Sequence, residues 1–229
     1  MATKFFIPVL GKRIRVTALD MCGNVPAAGT ADSFIATDGF ISVNLSSETE
    51  DGAEILQKKA NGSLCVNEKL SNSFKRFGVQ VDFCGVNPLL LSFVSNAEPY
   101  MDGSDVIGFT VPEGPIDKKF ALELWTGLSG TACQQGGGEA SGYLLLPFVS
   151  AGVLGDITVD GENTVTFSMT GGATQGGNSW GVGPYDVVDS ANPAPLPTAL
   201  DPYDHLLLID TDLAPPPSAD DPKPMPAAL

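Results

Sequence analysis

The chain has 229 residues, 43% hydrophobic and 17% charged, which is enough apolar material for a sizeable core and excludes global disorder. Twelve basic residues against twenty-seven acidic ones leave a net charge of −15, which excludes ordinary adhesion to nucleic acid or an anionic membrane. With Gly 26 and Pro 18, turns and short strands are favoured over long helices, so the composition predicts a soluble, acidic, all-β protein.

The charge is uneven. Residues 1–119 carry eleven of the bases and fourteen acids, a net of −3; residues 120–229 carry Lys223 against thirteen acids, a net of −12. Such asymmetry suggests different surroundings for the two halves. The apolar start Phe5-Phe6-Ile7-Pro8-Val9-Leu10 is broken by Pro8 and followed by Lys12, Arg13 and Arg15, which argues against a signal peptide and for synthesis in a cytoplasm. Ala140 to Gly155 is uncharged but too short and too broken to span a membrane.

Lys12 to Leu19 reads as the first strand, and Thr37-Asp38-Gly39 as a turn. Ile41, Val43 and Leu45 then alternate with Ser42, Asn44 and Ser46, the period-2 pattern of a strand with one buried and one wet face. Lys75 to Cys84 repeats it, with Phe77, Val79, Val81 and Phe83 opposite Arg76, Gly78, Gln80 and Asp82. Between them, Ser46 to Phe74 is a long connection of mixed charge in which Ala53–Lys59 could form a short helix stopped by Asn61-Gly62. It is either a functional interaction element or a mobile surface loop.

Asn87-Pro88 is a helix start, with Asn as cap and Pro in the first turn, leading into a short apolar helix that should lie on the sheet. Further strands are expected at Val106–Val111, Lys119–Thr126, Tyr143–Val149, Leu154–Val159 and Thr164–Met169, the last two joined by an Asp160-Gly161-Glu162-Asn163 turn. Gly127–Gly142 and Gly171–Gly183 read as glycine-rich loops. The first 189 residues therefore form one β domain, and residues 190–229 a proline-rich arm without a packed core, interrupted by His205–Asp210 as a strand that adds to a sheet edge.

The candidate chemistry is thin. Gly177-Asn178-Ser179-Trp180-Gly181 matches the G-x-S-x-G elbow of serine hydrolases, with His205 downstream, but no strand precedes it and no helix can follow. A glycine-rich loop anchored by Trp180 explains it better. Asp156–Gly161 resembles the start of a calcium loop, but its twelfth position is Phe167 where a glutamate is needed. Cys22, Cys65, Cys84 and Cys133 form no C-x-x-C pair, and His205 is the sole histidine, so no metal centre, cofactor or catalytic site is expected.

The order of the pieces is more telling. Val81-Asp82-Phe83-Cys84-Gly85-Val86-Asn87-Pro88 runs from a strand into an apolar helix. It is followed by Gly142–Val149, Gly152–Thr158 and a loop ending Trp180-Gly181-Val182-Gly183-Pro184-Tyr185. Over about residues 10–188 this resembles the major tail tube protein of long-tailed, non-contractile phages, of the kind found on actinobacterial hosts. The resemblance implies a β-sandwich or half-barrel with one flanking helix. It also implies a non-enzymatic virion protein whose six copies ring a channel, with rings stacking into the tail tube that conducts the genome.

The partners so implied are further copies of the chain, the tape measure, tail terminator and distal tail proteins, and double-stranded DNA that passes without tight binding. In that setting the wet faces of the alternating strands would line the lumen: Ser42, Asn44, Ser46, Glu48, Glu50, Gln80 and Asp82, with Asp156, Thr158 and Asp160. Glu54, Lys58, Lys59, Glu68 and Lys69 in the long connection would make ring-to-ring contacts. The alternatives are a capsid decoration or head–tail joining protein, and a secreted ligand-binding β-sandwich.

Overall fold

Period-2 patterning becomes a strand nearly everywhere it occurs in this chain. A computed structural model describes residues 7–85, 87–128, 141–157 and 165–226. Strand β1 spans Pro8–Leu19, β2 Phe34–Thr37, β3 Phe40–Glu50, β4 Glu54–Lys58, β5 Leu64–Lys69 and β6 Ser73–Phe83. Helix α1 is Pro88–Val94, followed by β7 Glu98–Asp102, β8 Asp105–Thr110, β9 Lys119–Leu128 and β10 Ser141–Ser150. Then come β11 Val153–Leu154, β12 Phe167–Thr174 and β13 Leu207–Thr211. The protein is all-β, with one short helix among the described residues. Among the described residues no helix is long and apolar enough to cross a membrane.

One antiparallel sheet runs β2-β1-β9-β10-β12-β6-β3, with β11 on β12 and β13 on β10. The sheet closes over a first core in which Ile14, Val16, Phe120, Leu122, Leu146 and Val149 from one half meet Val79, Val81, Phe83 and Met169 from the other. Helix α1 adds Leu90, Leu91 and Val94 to that core. It starts where the sequence says: the Asn87 side chain accepts from the amides of Leu89 and Leu90 at 3.0 and 3.2 Å.

A second core lies on the other face of β1, β9 and β10, where Ala121, Trp125, Tyr143 and Leu145 are covered by Trp180, Tyr185, Val187, Leu196 and Met225. Strands β9 and β10 are thus buried on both faces, which is why they read as nearly continuous apolar runs.

Several expectations are corrected. Ala53–Lys59 is not a helix: Glu54–Lys58 is β4, paired with β5 through a turn at Asn61-Gly62, where Gly62 has φ +84°. A single helical turn or two with no packing partner is unstable in water, whereas Asn-Gly promotes a hairpin. Ile41 does not join the apolar face. The register slips between Phe40 and Ser42, leaving Ile41 54% exposed while Phe40 packs on the core in its place.

Gly171 and Gly172 lie inside β12 rather than in a loop; Gly171 has φ +75° at a bulge where the register with β6 shifts. The strand expected at Thr164–Met169 is displaced to Phe167–Thr174, and Leu154–Val159 contributes Val153–Leu154 among the described residues. Thr158, Asp160, the Asp160–Asn163 turn and Cys133 lie outside the described residues. β2, β5 and β7 correspond to no strand expected from the sequence.

The proline-rich segment packs as well. Leu196 and Met225 are buried, β13 pairs with Ser141–Leu145 of β10, and Lys223 bridges Phe34 on the outer edge of β2. Its prolines cost few ladder bonds because most of it lies across the sheet rather than in it, and its scattered apolar side chains cover a face that would otherwise be exposed.

Candidate functional site

The β3–β6 ladder carries the clearest functional surface. Its register places Ser42 opposite Asp82, Asn44 opposite Gln80, Ser46 opposite Gly78 and Glu48 opposite Arg76. These eight residues share one face because side chains alternate along each strand, and the opposite face delivers Val43, Leu45, Val79 and Val81 to the first core. Six of the sequence-predicted lumen residues, Ser42, Asn44, Ser46, Glu48, Gln80 and Asp82, are brought together here.

The face is tied by its own hydrogen bonds. Ser42 Oγ donates to Asp82 Oδ2 at 2.6 Å, Gln80 Nε2 to Asp82 Oδ1 at 3.0 Å, and Asn44 Nδ2 to Ser42 Oγ at 3.0 Å. Arg76 Nε donates to Glu48 Oε2 at 2.6 Å. The one cation on the face is therefore committed to a carboxylate, and both Asp82 oxygens already accept bonds. A shallow groove of about 510 Å³ runs along it from Asn44 to Glu48 and across to Ser150 and Gln175. Chemically this is a polar, partly exposed surface that carries two carboxylates, Glu48 and Asp82, and the guanidinium of Arg76.

Glu50 continues the alternation of β3 past Glu48, because the extra residue of the irregularity there is Lys75 on β6. Glu50 pairs with Ser73 at the end of the ladder, past the six residues held together by the regular register. Asp156 is an exposed residue just after β11, away from the β3–β6 ladder in sequence and pairing. Glu54, Lys58, Lys59, Glu68 and Lys69 all lie in or beside β4 and β5, a separate two-stranded sheet exposed along its whole length. Glu54 and Lys69 are cross-strand partners. Gly52 permits the hairpin to leave the ladder, since a Cβ there would sit 1.9 Å from the Leu70 carbonyl oxygen.

Ser179 is exposed on an irregular segment, without the strand–helix elbow a nucleophile needs. The buried members of that motif are its neighbours: Asn178 donates to the carbonyls of Asp201, Pro202 and Asp204 at 3.0–3.1 Å, and Trp180 enters the second core. His205 Nδ1 is 2.7 Å from Thr174 Oγ1, and its ring meets Phe74 edge-on. Burial lowers the His205 pKa below its usual value, with Asp204 partly opposing the shift. Cys22, Cys65 and Cys84 are free thiols, and among the described residues no three metal-ligating side chains converge.

A buried ionic cluster escaped the sequence reading. Arg15 and Glu123 pair across β1 and β9, Tyr143 donates to Glu123 Oε1 at 2.7 Å, and the Arg15 guanidinium carbon lies 3.4 Å from the Tyr185 ring centroid. Its signal was present as one charged residue in each of two apolar strands, Arg15 between Ile14 and Val16 and Glu123 between Leu122 and Leu124. The cluster is closed to solvent and serves packing. No protein-family model matches this chain, and no curated protein sequence matches it.

Proposed function

We propose that the protein is a tail tube subunit of a long-tailed, non-contractile phage, assembling as hexameric rings stacked into the conduit for genome delivery. The observation that carries this reading is the single hydrated face of the β3–β6 ladder on the terminal strand of the sheet. Among the described residues β3 pairs only with β6, and a strand eleven residues long with an open edge needs a partner. A neighbouring copy supplies it, and repetition around a ring turns the polar face into the wall of a water-filled channel.

The charge on that face suits DNA transit. The duplex carries one negative charge per roughly 1.7 Å of axis, and each free lysine or arginine would add phosphate affinity through counterion release. Here Arg76 is neutralised by Glu48, so the wall offers carboxylates, hydroxyls and amides. The exposed β4–β5 hairpin, projecting from the end of the same ladder, supplies the contact between rings. The tape measure protein would occupy the channel before DNA does, with terminator and distal tail proteins closing its ends.

Negative-stain microscopy of the purified protein at high concentration tests the reading. Tubes or stacked six-membered rings are expected. A protein that stays monomeric at every concentration and salt tried would overturn it, and a binding module would then be the better account.

A further inference from the structure

Among the described strands, β4–β5 and β7–β8 lie outside the main sheet, each pair a separate two-stranded sheet. They sit at opposite ends of the β3–β6 ladder. The first leaves it at the Glu50–Ser73 pair. The second follows α1 at the Phe83 end, where Phe109 of β8 packs edge-on against Phe167, the cross-strand partner of Phe83. Eleven residues of β6 separate the two ends, roughly 35 Å at about 3.3 Å per residue.

Both hairpins expose apolar side chains that a solitary pair of strands cannot bury. Ile55, Leu56 and Val66 are 47%, 51% and 40% exposed on one, and Tyr100 and Ile107 are 56% and 61% exposed on the other. Isolated two-stranded hairpins are marginal in water, so each is built to be covered. Their charges are opposite. The β4–β5 hairpin carries Lys58, Lys59 and Lys69 against Glu54 and Glu68, with Lys58 and Lys59 at its turn. The β7–β8 hairpin carries Glu98, Asp102 and Asp105 and no base, with Asp102 and Asp105 flanking its turn at Gly103. Among the described residues no ion pair within the subunit engages Lys58, Lys59, Asp102 or Asp105.

We propose that the β4–β5 hairpin of one copy docks on the β7–β8 hairpin of a second copy, the face that carries Ile55 and Val66 against the exposed Tyr100 and Ile107 and the Lys58–Lys59 turn against Asp102 and Asp105. The occupant is a second copy because this chain itself presents both complementary surfaces, each lacking a partner within the subunit. Because the two tips lie at opposite ends of the ladder, copies stacked head-to-tail along it meet basic tip to acidic tip at every junction and repeat without closing; a two-fold pair joined at both ends would stop at a dimer, so growth beyond the dimer marks the head-to-tail contact. This deepens the tail tube reading and rests on it for the ring, but the docking itself needs only two copies.

Charge reversal separates the two ideas. Lys58→Glu with Lys59→Glu, and separately Asp102→Lys with Asp105→Lys, should each raise the concentration needed for assembly at least tenfold, read by sedimentation and microscopy, with circular dichroism unchanged. Mixing the two variants should restore assembly, because each then offers the charge the other's tips require, and so should all four changes in one chain. Single variants that assemble like the wild type, or a mixture that stays apart, would overturn the docking while leaving the tubes of the wild type to stand for the general reading. Charge-dependent open chains without rings would support the docking and sink the tube.

Discussion

Arg15 and Glu123 face each other across β1 and β9 with two hydrogen bonds, Nε to Oε2 at 2.5 Å and Nη2 to Oε1 at 2.6 Å, and neither side chain reaches solvent to any extent. Burial alone would lower the Arg15 pKa, and Glu123 outweighs it, holding the guanidinium above its usual value. Removing one partner strands a buried charge. Glu123→Gln should therefore cost about 3–5 kcal/mol in urea unfolding, and Arg15→Met combined with Glu123→Leu clearly less than the sum of the single changes. Additive costs would show that the pair is not coupled.

The same cluster sets an alkaline limit. Burial, reinforced by Glu123, raises the pKa of Tyr143, and burial likewise raises that of Tyr185. A raised folded pKa favours the neutral phenol in the fold, so this stability is fully present below the unfolded value near 10 and is lost as pH rises through the folded values. Tyrosinate absorbance at 295 nm from these two residues should appear only as circular dichroism is lost. Their titration in a still-folded protein would contradict the burial assigned to them.

Within the G-x-S-x-G segment, structure and the motif point to different residues. Ser179→Ala should change stability by no more than about 0.5 kcal/mol and leave assembly intact. Asn178→Ala should cost about 1–3 kcal/mol, because three carbonyls lose the donor that holds the 201–204 turn and the Trp180 amide loses its acceptor. Thermal unfolding of the two variants side by side decides it; a larger effect at Ser179 would reverse the assignment.

Truncation after Ser190 should unfold the subunit. It removes β13 from β10 and strips Leu196, Met225, Leu207 and Ile209 from the second core. At roughly 1.5–3 kcal/mol for each fully buried side chain, that loss approaches the ~5–15 kcal/mol that keeps a domain folded. The expected product is aggregated or lacks a cooperative melt, and a truncated chain that melts like the full one would show that the segment is dispensable.

On the candidate channel wall, lysine is the informative substitution. On the proposed tail tube reading, Ser42→Lys, Asn44→Lys and Gln80→Lys in combination should permit assembly but slow DNA release at low salt. Recovery is expected as the Debye length falls from about 30 Å at 0.01 M to about 10 Å at 0.1 M. Ejection at the wild-type rate at low salt would remove these residues from the wall.

Local chemistry alone made much of this protein legible. The alternation Phe77, Val79, Val81, Phe83 against Arg76, Gly78, Gln80, Asp82 specifies which face of β6 is buried, because a one-residue slip would expose the whole apolar set. Asn87-Pro88 specifies where the helix begins, because both residues suit its unsatisfied first turn. What tertiary structure decided were the places where neighbours outweigh pattern. Ile41 is turned out by a bulge that only pairing with β6 creates. Glu54–Lys58 is a strand because Leu64–Lys69 is there to share its backbone bonds. Arg15 and Glu123 are buried because β1 and β9 bring them into register and residues 180–226 cover them. Each depends on a contact between residues far apart in the chain, and a burial pattern read along one strand carries no information about which distant segment will lie across it.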